Sequence, residues 1–306
     1  MKKILIATTK PFAKEAVNKM TDIFTGAGYT TQLLEKYNDE NELHEAVKDV
    51  DGLIVRSDII DPAVIENASN LKIVIRAGAG YDNIDLDACS SKNITVMNTP
   101  GQNANAVAEL VFGMMIHLIR NGFNGTAGTE LRNKKLGIHA YGHVGRIVGM
   151  IGKGFGMKVY AYDPFIDKII IENDGVKYES DVAEMYRKCQ YISLHLPLAK
   201  ETRESINSKL LLSMPEKAML VNTARKELIH EEDLLKTFRE RSGFMYASDI
   251  APDCKQQIEQ EFPGRSFFTA KKMGAQTYEA NLNAGLAAAR QIVNFLEKGD
   301  TTYKVN

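Results

Sequence analysis

Cysteine is scarce in this sequence. The three cysteines, Cys89, Cys189 and Cys254, are widely separated and form neither a C-x-x-C pair nor any other spacing typical of metal ligands. We therefore expect no metal site, buried reduced thiols and a cytoplasmic location.

The sequence also lacks an excess of one charge and any long apolar run. Lysine and arginine number 38 against 39 acidic residues, a net charge of -1, so no electrostatic signal points to nucleic acid or an acidic membrane. The apolar run in MKKILIATTK is too short for a signal peptide, and no stretch approaches the roughly 20 residues of a membrane span. We expect a soluble protein that binds neither nucleic acid nor membrane.

Short apolar runs alternate with helical patterns in two series, and 306 residues are enough for two domains. The first series has the strand patterns KKILIATT, TTQLLE, GLIVRS, KIVIRAG and ITVMNT, and the second has KLGIHAY, MKVYAYD, YISLHLP, AMLVNTA, MYASDI and RSFFT. This alternation predicts α/β domains with doubly wound parallel sheets. The apolar pattern AVAELVFGMMIHLIRNG predicts a buried helix between the series, and EANLNAGLAAARQIVNFLEKG predicts a helix that returns to the first domain. The predicted domains are residues 1–98 with 281–306, and residues 99–280.

The stretch LGIHAYGHVG resembles the dinucleotide-binding pattern G-x-G-x-x-G, with Ala140, Gly142 and Gly145 at the glycine positions. An alanine is tolerated at the first position if its φ stays negative. The helix pattern that follows offers an N-terminus to a pyrophosphate. Asp163 ends the next strand, where a carboxylate accepts ribose hydroxyls and repels a 2′-phosphate, so the site should prefer NAD to NADP. An ordinary strand-to-helix turn is the alternative.

Three later strands end in polar residues, and ligands of open parallel sheets bind at such ends. His195 and Pro197 lie in SLHLPL, Arg225 in VNTARKELI and Asp249 in YASDIAPD. Arg225 suits a carboxylate, which it can hold by two parallel hydrogen bonds. A buried Asp249 needs a polar partner, and the nicotinamide carboxamide is one candidate. Taken singly, His195 is as well explained by packing or capping, and Arg225 by surface exposure.

Taken together, these motifs occur in an order that resembles that of a known protein family. The order GAGYDNID, NTPGQNANAVAEL, the dinucleotide pattern, SLHLPLAKET, VNTARKELI, YASDI and GAQT resembles the D-2-hydroxyacid dehydrogenase family across essentially the whole chain. The resemblance implies a flavodoxin-like substrate domain, a Rossmann NAD domain, a cleft between them and a homodimer.

Within this family the chain is most similar to the short phosphoglycerate dehydrogenases. That likeness implies NAD-dependent oxidation of 3-phospho-D-glycerate to 3-phosphohydroxypyruvate, the first step of serine biosynthesis. Reduction of glyoxylate, hydroxypyruvate or another 2-keto acid is one alternative. A non-catalytic protein that senses NAD is another.

The family uses an arginine, a glutamate and a histidine, and the chain departs from this trio. The arginine corresponds to Arg225. The segment TAKKMGAQT has no histidine: counting back from GAQT puts Lys272 in its place, whereas counting forward from Thr269 favours Lys271. Asp253 lies near the position of the glutamate. A lysine can accept the substrate's hydroxyl proton if burial and a nearby arginine lower its pKa. The alternative is a solvated surface lysine.

The resemblance also assigns the ligand-binding residues. The expected cofactor-binding residues are Ala140, Tyr141, Gly142, His143, Val144, Gly145, Asp163, His195, Pro197, Thr202, Thr223, Ala224 and Asp249. The expected substrate-binding residues are Arg56, Ser57, Gly78, Ala79, Gly80, Asn98 and Gln102. The loop Gly78 to Gly80 would bind the carboxylate through main-chain N–H groups, and Arg56, or less strongly Lys36, the phosphate. The alternative for the loop is a plain turn, and the alternative for Arg56 or Lys36 is a surface salt bridge.

Overall fold

The computed structural model describes all residues from 1 to 306. The chain divides into two compact units, one of Met1–Asn103 with Gln276–Asn306 and one of Ala104–Ala275. The boundaries that the sequence predicts, after residue 98 and at residue 281, differ from these limits by five residues each. Which ligand each unit binds stays a prediction at this point.

The first unit contains a five-stranded parallel sheet in the order β2-β1-β3-β4-β5. Its strands are β1 (Lys3–Thr8), β2 (Thr30–Glu35), β3 (Gly52–Val55), β4 (Ile73–Arg76) and β5 (Thr95–Asn98). This order is that of the flavodoxin-like fold, with the direction of winding reversed between β1 and β3. The loops that follow these strands therefore lie at one carboxyl edge.

The first unit contains five helices, all but the first of which begin at a capping side chain. They are α1 (Lys14–Gly26), α2 (Glu40–Ala46), α3 (Pro62–Asn67), α4 (Leu86–Ser91) and the returning helix α12 (Tyr278–Lys298). Aspartate side chains cap α2, α3 and α4, and Thr277 caps α12, each accepting a hydrogen bond from a first-turn N–H. Helix α12 buries a face of alanines and Ile292 in the same hydrophobic cluster as β1, β3 and β4.

The second unit contains a seven-stranded parallel sheet in the order β12-β11-β10-β9-β6-β7-β8. Its strands are β6 (Lys135–His139), β7 (Lys158–Tyr162), β8 (Lys177–Tyr178), β9 (Tyr191–Leu194), β10 (Met219–Asn222), β11 (Met245–Ser248) and β12 (Ser266–Phe268). This is the Rossmann order with one added strand, and its winding reverses between β6 and β9. The two-residue strand β8 is absent from the sequence-based prediction, because it is too short to leave an alternating pattern.

Helices cover both faces of this second sheet. They are α5 (Ala104–Ile119), α6 (His143–Gly154), α7 (Lys168–Asn173), α8 (Val182–Lys188), α9 (Ser208–Leu211), α10 (Glu231–Glu240) and α11 (Lys255–Glu261), with short 3₁₀ helices at Asn121–Phe123 and Lys226–Leu228. Helix α5 is the predicted apolar helix, and most of its apolar side chains are buried against α6 and the sheet. None of the helices combines the length and apolarity that crossing a membrane requires.

Candidate active site

The turn after β6 differs from the sequence-based expectation. Ala140 has a φ of 76°, so the condition of a negative φ is not met. An alanine in this left-handed region costs about 1–2 kcal/mol, because its Cβ crowds the backbone. The chain nevertheless follows the turn that a glycine would make, and the Ala140 N–H donates to the carbonyl of Tyr162 at 2.9 Å.

The other two glycines of the pattern are explained by space. A Cβ on Gly145 would lie 2.4 Å from the Ala140 carbonyl oxygen, so only glycine lets α6 lie this close to the turn. A Cβ on Gly142 would have no atom within 4 Å, so the space there is open. Gly142 is the N-cap of α6 and no side chain caps the helix, which begins at His143 and continues through Val144. This open, positively polarised helix end fits a dinucleotide pyrophosphate.

Asp163 follows β7 at the same carboxyl edge and is buried. Its carboxylate accepts hydrogen bonds from the N–H groups of Tyr141 at 2.7 Å, Phe165 at 2.8 Å and Ile166 at 3.3 Å. A carboxylate has about four acceptor positions, so capacity remains for a ribose hydroxyl. The charge therefore lies where the sequence predicts selection of NAD.

Two histidines meet where the winding of the sheet reverses. The N–H of His195 donates to the carbonyl of His139 at 2.9 Å. His139 Nδ1 lies 3.1 Å from Tyr186 Oη, and His195 Nε2 lies 2.9 Å from Ser193 Oγ. Burial lowers the pKa of His139 to about 4, and burial together with the charge of His139 lowers the pKa of His195. Both rings are therefore uncharged at neutral pH.

The loop after β9 is held by Thr202. The Thr202 hydroxyl donates to the Pro197 carbonyl at 2.7 Å and accepts from the Ala199 N–H at 2.8 Å. After β10, the buried Thr223 hydroxyl has no hydrogen-bond partner within the chain. An unpaired buried hydroxyl is costly, so Thr223 fits a residue that gains a partner from a ligand. The cofactor roles of both threonines stay predictions.

Arg225 lies in a turn that is organised by the preceding asparagine. The buried Asn222 side chain accepts from the Ala224 N–H at 2.9 Å and donates to the Arg225 carbonyl at 2.8 Å. The Asn222 carbonyl also accepts from the Asp249 N–H and the Ser248 hydroxyl. The ends of β10 and β11 are thereby fixed to each other, and Arg225 follows from this fixed point.

Asp249 finds its polar partners within the chain. Its buried carboxylate accepts from the Thr269 hydroxyl at 3.1 Å and from the N–H groups of Met273 and Gly274 at 2.8 Å each. A Cβ on Gly274 would lie 2.9 Å from Asp249 Oδ2. Asp249 thus fixes both ends of the loop that carries the two candidate lysines. A contact with the nicotinamide carboxamide stays a prediction.

The candidate acid–base residues have different surroundings. Lys271 and Lys272 are both exposed, so neither has the burial on which the sequence-based assignment of a lysine base depends, and both lie in the loop that Asp249 holds. The Asp253 side chain is 79% exposed and its carboxylate forms an ion pair with Lys226. This bond raises the pKa of Lys226. Asp253 therefore has a local partner beside Arg225 in the chain, and its predicted catalytic role is untested.

In the first unit, Arg56 follows β3 and is engaged by its own surroundings. Its guanidinium donates to the carbonyls of Lys10 at 2.9 Å and Pro11 at 3.0 Å, and to Asn281 Oδ1. It also lies over the Phe12 ring, with Cζ 5.1 Å from the centroid. Burial lowers the pKa of Arg56 from its ordinary value. Ser57 beside it is exposed, whereas Lys36 follows β2 at the same edge.

The glycine-containing loop after β4 is shaped by a second arginine. Gly78 has a φ of 151°, and a Cβ there would lie 1.4 Å from Arg76 Nη1. Arg76 Nε donates to the Arg56 carbonyl at 2.9 Å. From β5, the Asn98 amide donates to the Ala79 carbonyl at 2.6 Å. Asn98 thus holds the Gly78 to Gly80 loop that is predicted to bind the substrate carboxylate. Gln102 is exposed further along the chain.

Sequence reasoning missed several residues at these edges. They are Arg76, Asp58, Asn222 and Thr269. Arg76 had a detectable signal, since it ends a strand pattern immediately before a glycine-containing loop, as Arg56 ends another. Asp58 and Thr269 bond to the main chain of other loops, and no local pattern reveals these contacts. The Asn222 side chain bonds to residues two and three positions ahead, so its local signal was an asparagine at the start of a turn.

The comparisons with known proteins agree with the fold and with NAD as the cofactor. Residues 112–266 match the family model described as D-isomer specific 2-hydroxyacid dehydrogenase, NAD binding domain. The chain therefore belongs to the D-2-hydroxyacid dehydrogenase family, and its second unit carries the family's NAD-binding domain. NAD is accordingly the cofactor.

Particular relatives are phosphoglycerate dehydrogenases and a hydroxypyruvate reductase. The NAD⁺-bound 3-phosphoglycerate dehydrogenase of Entamoeba histolytica is 48% identical with a TM-score of 0.90, covering 100% of this chain and 98% of that one. The D-3-phosphoglycerate dehydrogenase of Methanocaldococcus jannaschii is 33% identical over 97% of this chain, which spans only 58% of that protein. The hydroxypyruvate reductase of Thermotoga maritima is 33% identical over 86% of this chain and 89% of that protein.

The first testable prediction concerns the choice of cofactor. The double variant Asp163→Ala with Phe165→Arg should shift the ratio of Kd for NADP to Kd for NAD toward NADP by about 10- to 100-fold. Asp163→Ala removes the negative charge that repels a 2′-phosphate. Phe165→Arg adds a positive charge that attracts it, at a position where the Phe165 side chain is 93% exposed. Isothermal titration with each cofactor measures the two constants.

Asp167→Ala is the matched control, because it removes an aspartate from the same segment at the N-cap of α7 and should leave the ratio unchanged. Equal affinity of the unaltered protein for NAD and NADP would contradict the prediction.

Proposed function

We propose that this protein oxidises 3-phospho-D-glycerate to 3-phosphohydroxypyruvate with NAD, as the first step of serine biosynthesis. The observation that carries the proposal is a pair of arginines, Arg56 and Arg76, at the carboxyl edge of the first sheet beside the Gly78 loop. A phosphorylated 2-hydroxy acid has two anionic groups and needs donors for both. The 48% identity to a 3-phosphoglycerate dehydrogenase of nearly the same length supports this substrate.

The chain's own residues divide the chemical work as follows. Bound NAD would supply the acceptor for the hydride that leaves the substrate carbon. Arg225 holds the substrate carboxylate and the oxygen on C2, which a planar guanidinium can do by parallel hydrogen bonds. Lys272 accepts the hydroxyl proton in place of the family's histidine, and donates it in the reverse direction. Asp253 is a weaker candidate for assisting it, since its carboxylate pairs with Lys226.

The second prediction tests Lys272. Lys272→Ala should lower kcat by about 10²- to 10⁴-fold, the usual effect of removing a general acid–base group, with little change in the Kd for NAD. Steady-state kinetics and cofactor titration separate the two effects. Lys271→Ala is the matched control, because the neighbouring lysine is equally exposed.

If Lys271→Ala loses turnover and Lys272→Ala turns over normally, the catalytic assignment moves to Lys271. If neither variant loses turnover, a lysine base is ruled out.

The phosphate is assigned to Arg76 together with Arg56. Arg76 reaches over Gly78, the first residue of the loop that is proposed to bind the carboxylate, and Arg56 donates three hydrogen bonds to acceptors of its own unit. Arg56 then positions Arg76 through its carbonyl, which accepts from Arg76 Nε.

The third prediction tests the substrate. The unaltered protein should have a higher kcat/KM for 3-phosphoglycerate than for D-glycerate. Arg76→Gln should lower kcat/KM for the phosphorylated acid by about 10- to 100-fold and that for glycerate far less, because charge-assisted hydrogen bonds to phosphate are lost. Arg290→Gln, an exposed arginine of α12, is the control.

One other reaction has specific support. The hydroxypyruvate reductase of Thermotoga maritima is matched over 89% of its length, so reduction of an unphosphorylated 2-keto acid is the second candidate. Faster turnover of hydroxypyruvate or glyoxylate than of 3-phosphohydroxypyruvate would favour it and overturn the first. Binding of NAD without turnover of any 2-hydroxy acid would instead favour an NAD-sensing protein.

The fourth prediction is a homodimer formed through the second unit, in a protein that we propose to be cytoplasmic. Residues 121–130, which follow α5, are all exposed and include Phe123 at 65% exposure, which fits a surface that a second copy covers. Phe123→Asp should shift the mass measured by light scattering from dimer to monomer. Phe165→Asp also replaces an exposed aromatic ring by a carboxylate, and it should leave the measured mass unchanged. A monomeric unaltered protein at working concentration would contradict the prediction.

A further inference from the structure

Tyr141 stands inside the dinucleotide-binding turn but directs its side chain away from the open end of α6. The residue is fully buried. Its ring extends beneath the helix, where a Cβ on Gly149 would lie 3.2 Å from the Tyr141 hydroxyl. That hydroxyl donates to Asp174 Oδ2 at 3.2 Å. Tyr141 therefore spans from the turn to the segment that follows α7.

Asp174 is itself fixed to α6. Its carboxylate accepts from Arg146 Nε at 3.0 Å and from Arg146 Nη2 at 3.2 Å, a bidentate pair. Its carbonyl accepts from the Lys153 ammonium group, two turns further along the helix. The acceptor that Tyr141 reaches is thus held by α6, the helix whose N-terminus faces the cofactor's pyrophosphate. The hydrogen bond between Tyr141 and Asp174 therefore connects the turn to α6.

The turn needs such support because Ala140 has a φ of 76°. Alanine favours negative φ, so the left-handed turn persists only where its surroundings fix it. The main chain is fixed on either side of the strained bond: the Ala140 N–H donates to the Tyr162 carbonyl at 2.9 Å and the Tyr141 N–H to Asp163 Oδ2 at 2.7 Å. The Tyr141 hydroxyl adds a hydrogen bond from this turn to Asp174, in the segment that follows α7.

We propose that Tyr141 is a positioning residue for NAD, whose hydroxyl, bonded to Asp174, holds the left-handed turn at Ala140 in the conformation that leaves the N-terminus of α6 open to the pyrophosphate. The role is separate from the identity of the substrate and from the assignment of Lys272. It explains why a tyrosine rather than an aliphatic residue fills this space: an aliphatic side chain would pack there but could not fix its outer end. Burial and the neighbouring Asp174 raise the pKa of Tyr141, so the hydroxyl stays a neutral donor.

The proposal predicts a loss of affinity without a change in the groups that contact NAD. If the turn is held less firmly, only part of the population presents the binding conformation, and the apparent Kd rises in inverse proportion to that part. A single partly buried hydrogen bond of this kind should change the Kd for NAD by about three- to tenfold.

A double-mutant cycle tests whether the hydroxyl acts on the strained turn. Tyr141→Phe keeps the ring and removes the hydroxyl, and Ala140→Gly keeps the turn and removes its strain. The Kd for NAD is measured by isothermal titration on the full chain without substrate. We expect Tyr141→Phe to raise the Kd about three- to tenfold in the unaltered background and less than twofold in the Ala140→Gly background. Tyr246→Phe, at a fully buried tyrosine of β11, is the matched control and should leave the Kd unchanged in both backgrounds.

Either of two results overturns the proposal: an unchanged Kd in Tyr141→Phe, or the same rise in both backgrounds, which would mean a general structural role. Asp174→Ala removes the acceptor and provides the same cycle if Tyr141→Phe does not fold. Its effect on the Kd must also shrink in the Ala140→Gly background, and an equal effect in both overturns the proposal.

Discussion

The close approach of helix α6 to strand β6 is the constraint on which the cofactor site depends. Added Cβ atoms would lie 2.4 Å from the Ala140 carbonyl at Gly145, 3.2 Å from the Tyr141 hydroxyl at Gly149 and 2.9 Å from Leu136 Cδ2 at Gly152. These glycines are spaced by four and three residues, so they share one face of the helix. Because α6 lies directly on the strand, its first turn reaches the carboxyl edge of the sheet. The free N–H groups of that turn then face the space where an anion binds.

In the first unit the equivalent organising group is a buried carboxylate. Asp58 accepts from the Thr9 N–H at 2.6 Å, the Tyr37 hydroxyl at 2.9 Å and the Arg56 N–H at 3.2 Å. Its donors come from the segments that follow β1, β2 and β3. A buried carboxylate is tolerated only with such partners, and in return it fixes three loops to one another. The main chain of Arg56 is thereby held, while its guanidinium turns to the carbonyls of Lys10 and Pro11.

Two of the departures from the family's motifs lie where the backbone is held by hydrogen bonds from other segments. Ala140 occupies the left-handed turn of the glycine that it replaces. The loop that carries Lys271 and Lys272, the two candidates for the histidine's position, is fixed by Asp249 through the N–H groups of Met273 and Gly274. A missing motif residue is therefore weak evidence against a site whose backbone is held by hydrogen bonds from elsewhere. What changes at Ala140 is the energy of the turn.

The sequence by itself determined the alternation of strands and helices apart from β8, both parallel sheets, the position of the dinucleotide turn and the family. These follow from local information, because periodicity records which side of each element faces the core and motifs record the residues that a turn requires. It could not supply the φ of Ala140, the pairing of Asp253 with Lys226, the involvement of Arg56 with its own loops, or the part played by Arg76, Asn222 and Tyr141. Only the tertiary structure decided these, because each depends on a hydrogen bond or a close approach that the local sequence pattern does not record, most often between segments brought together by the fold.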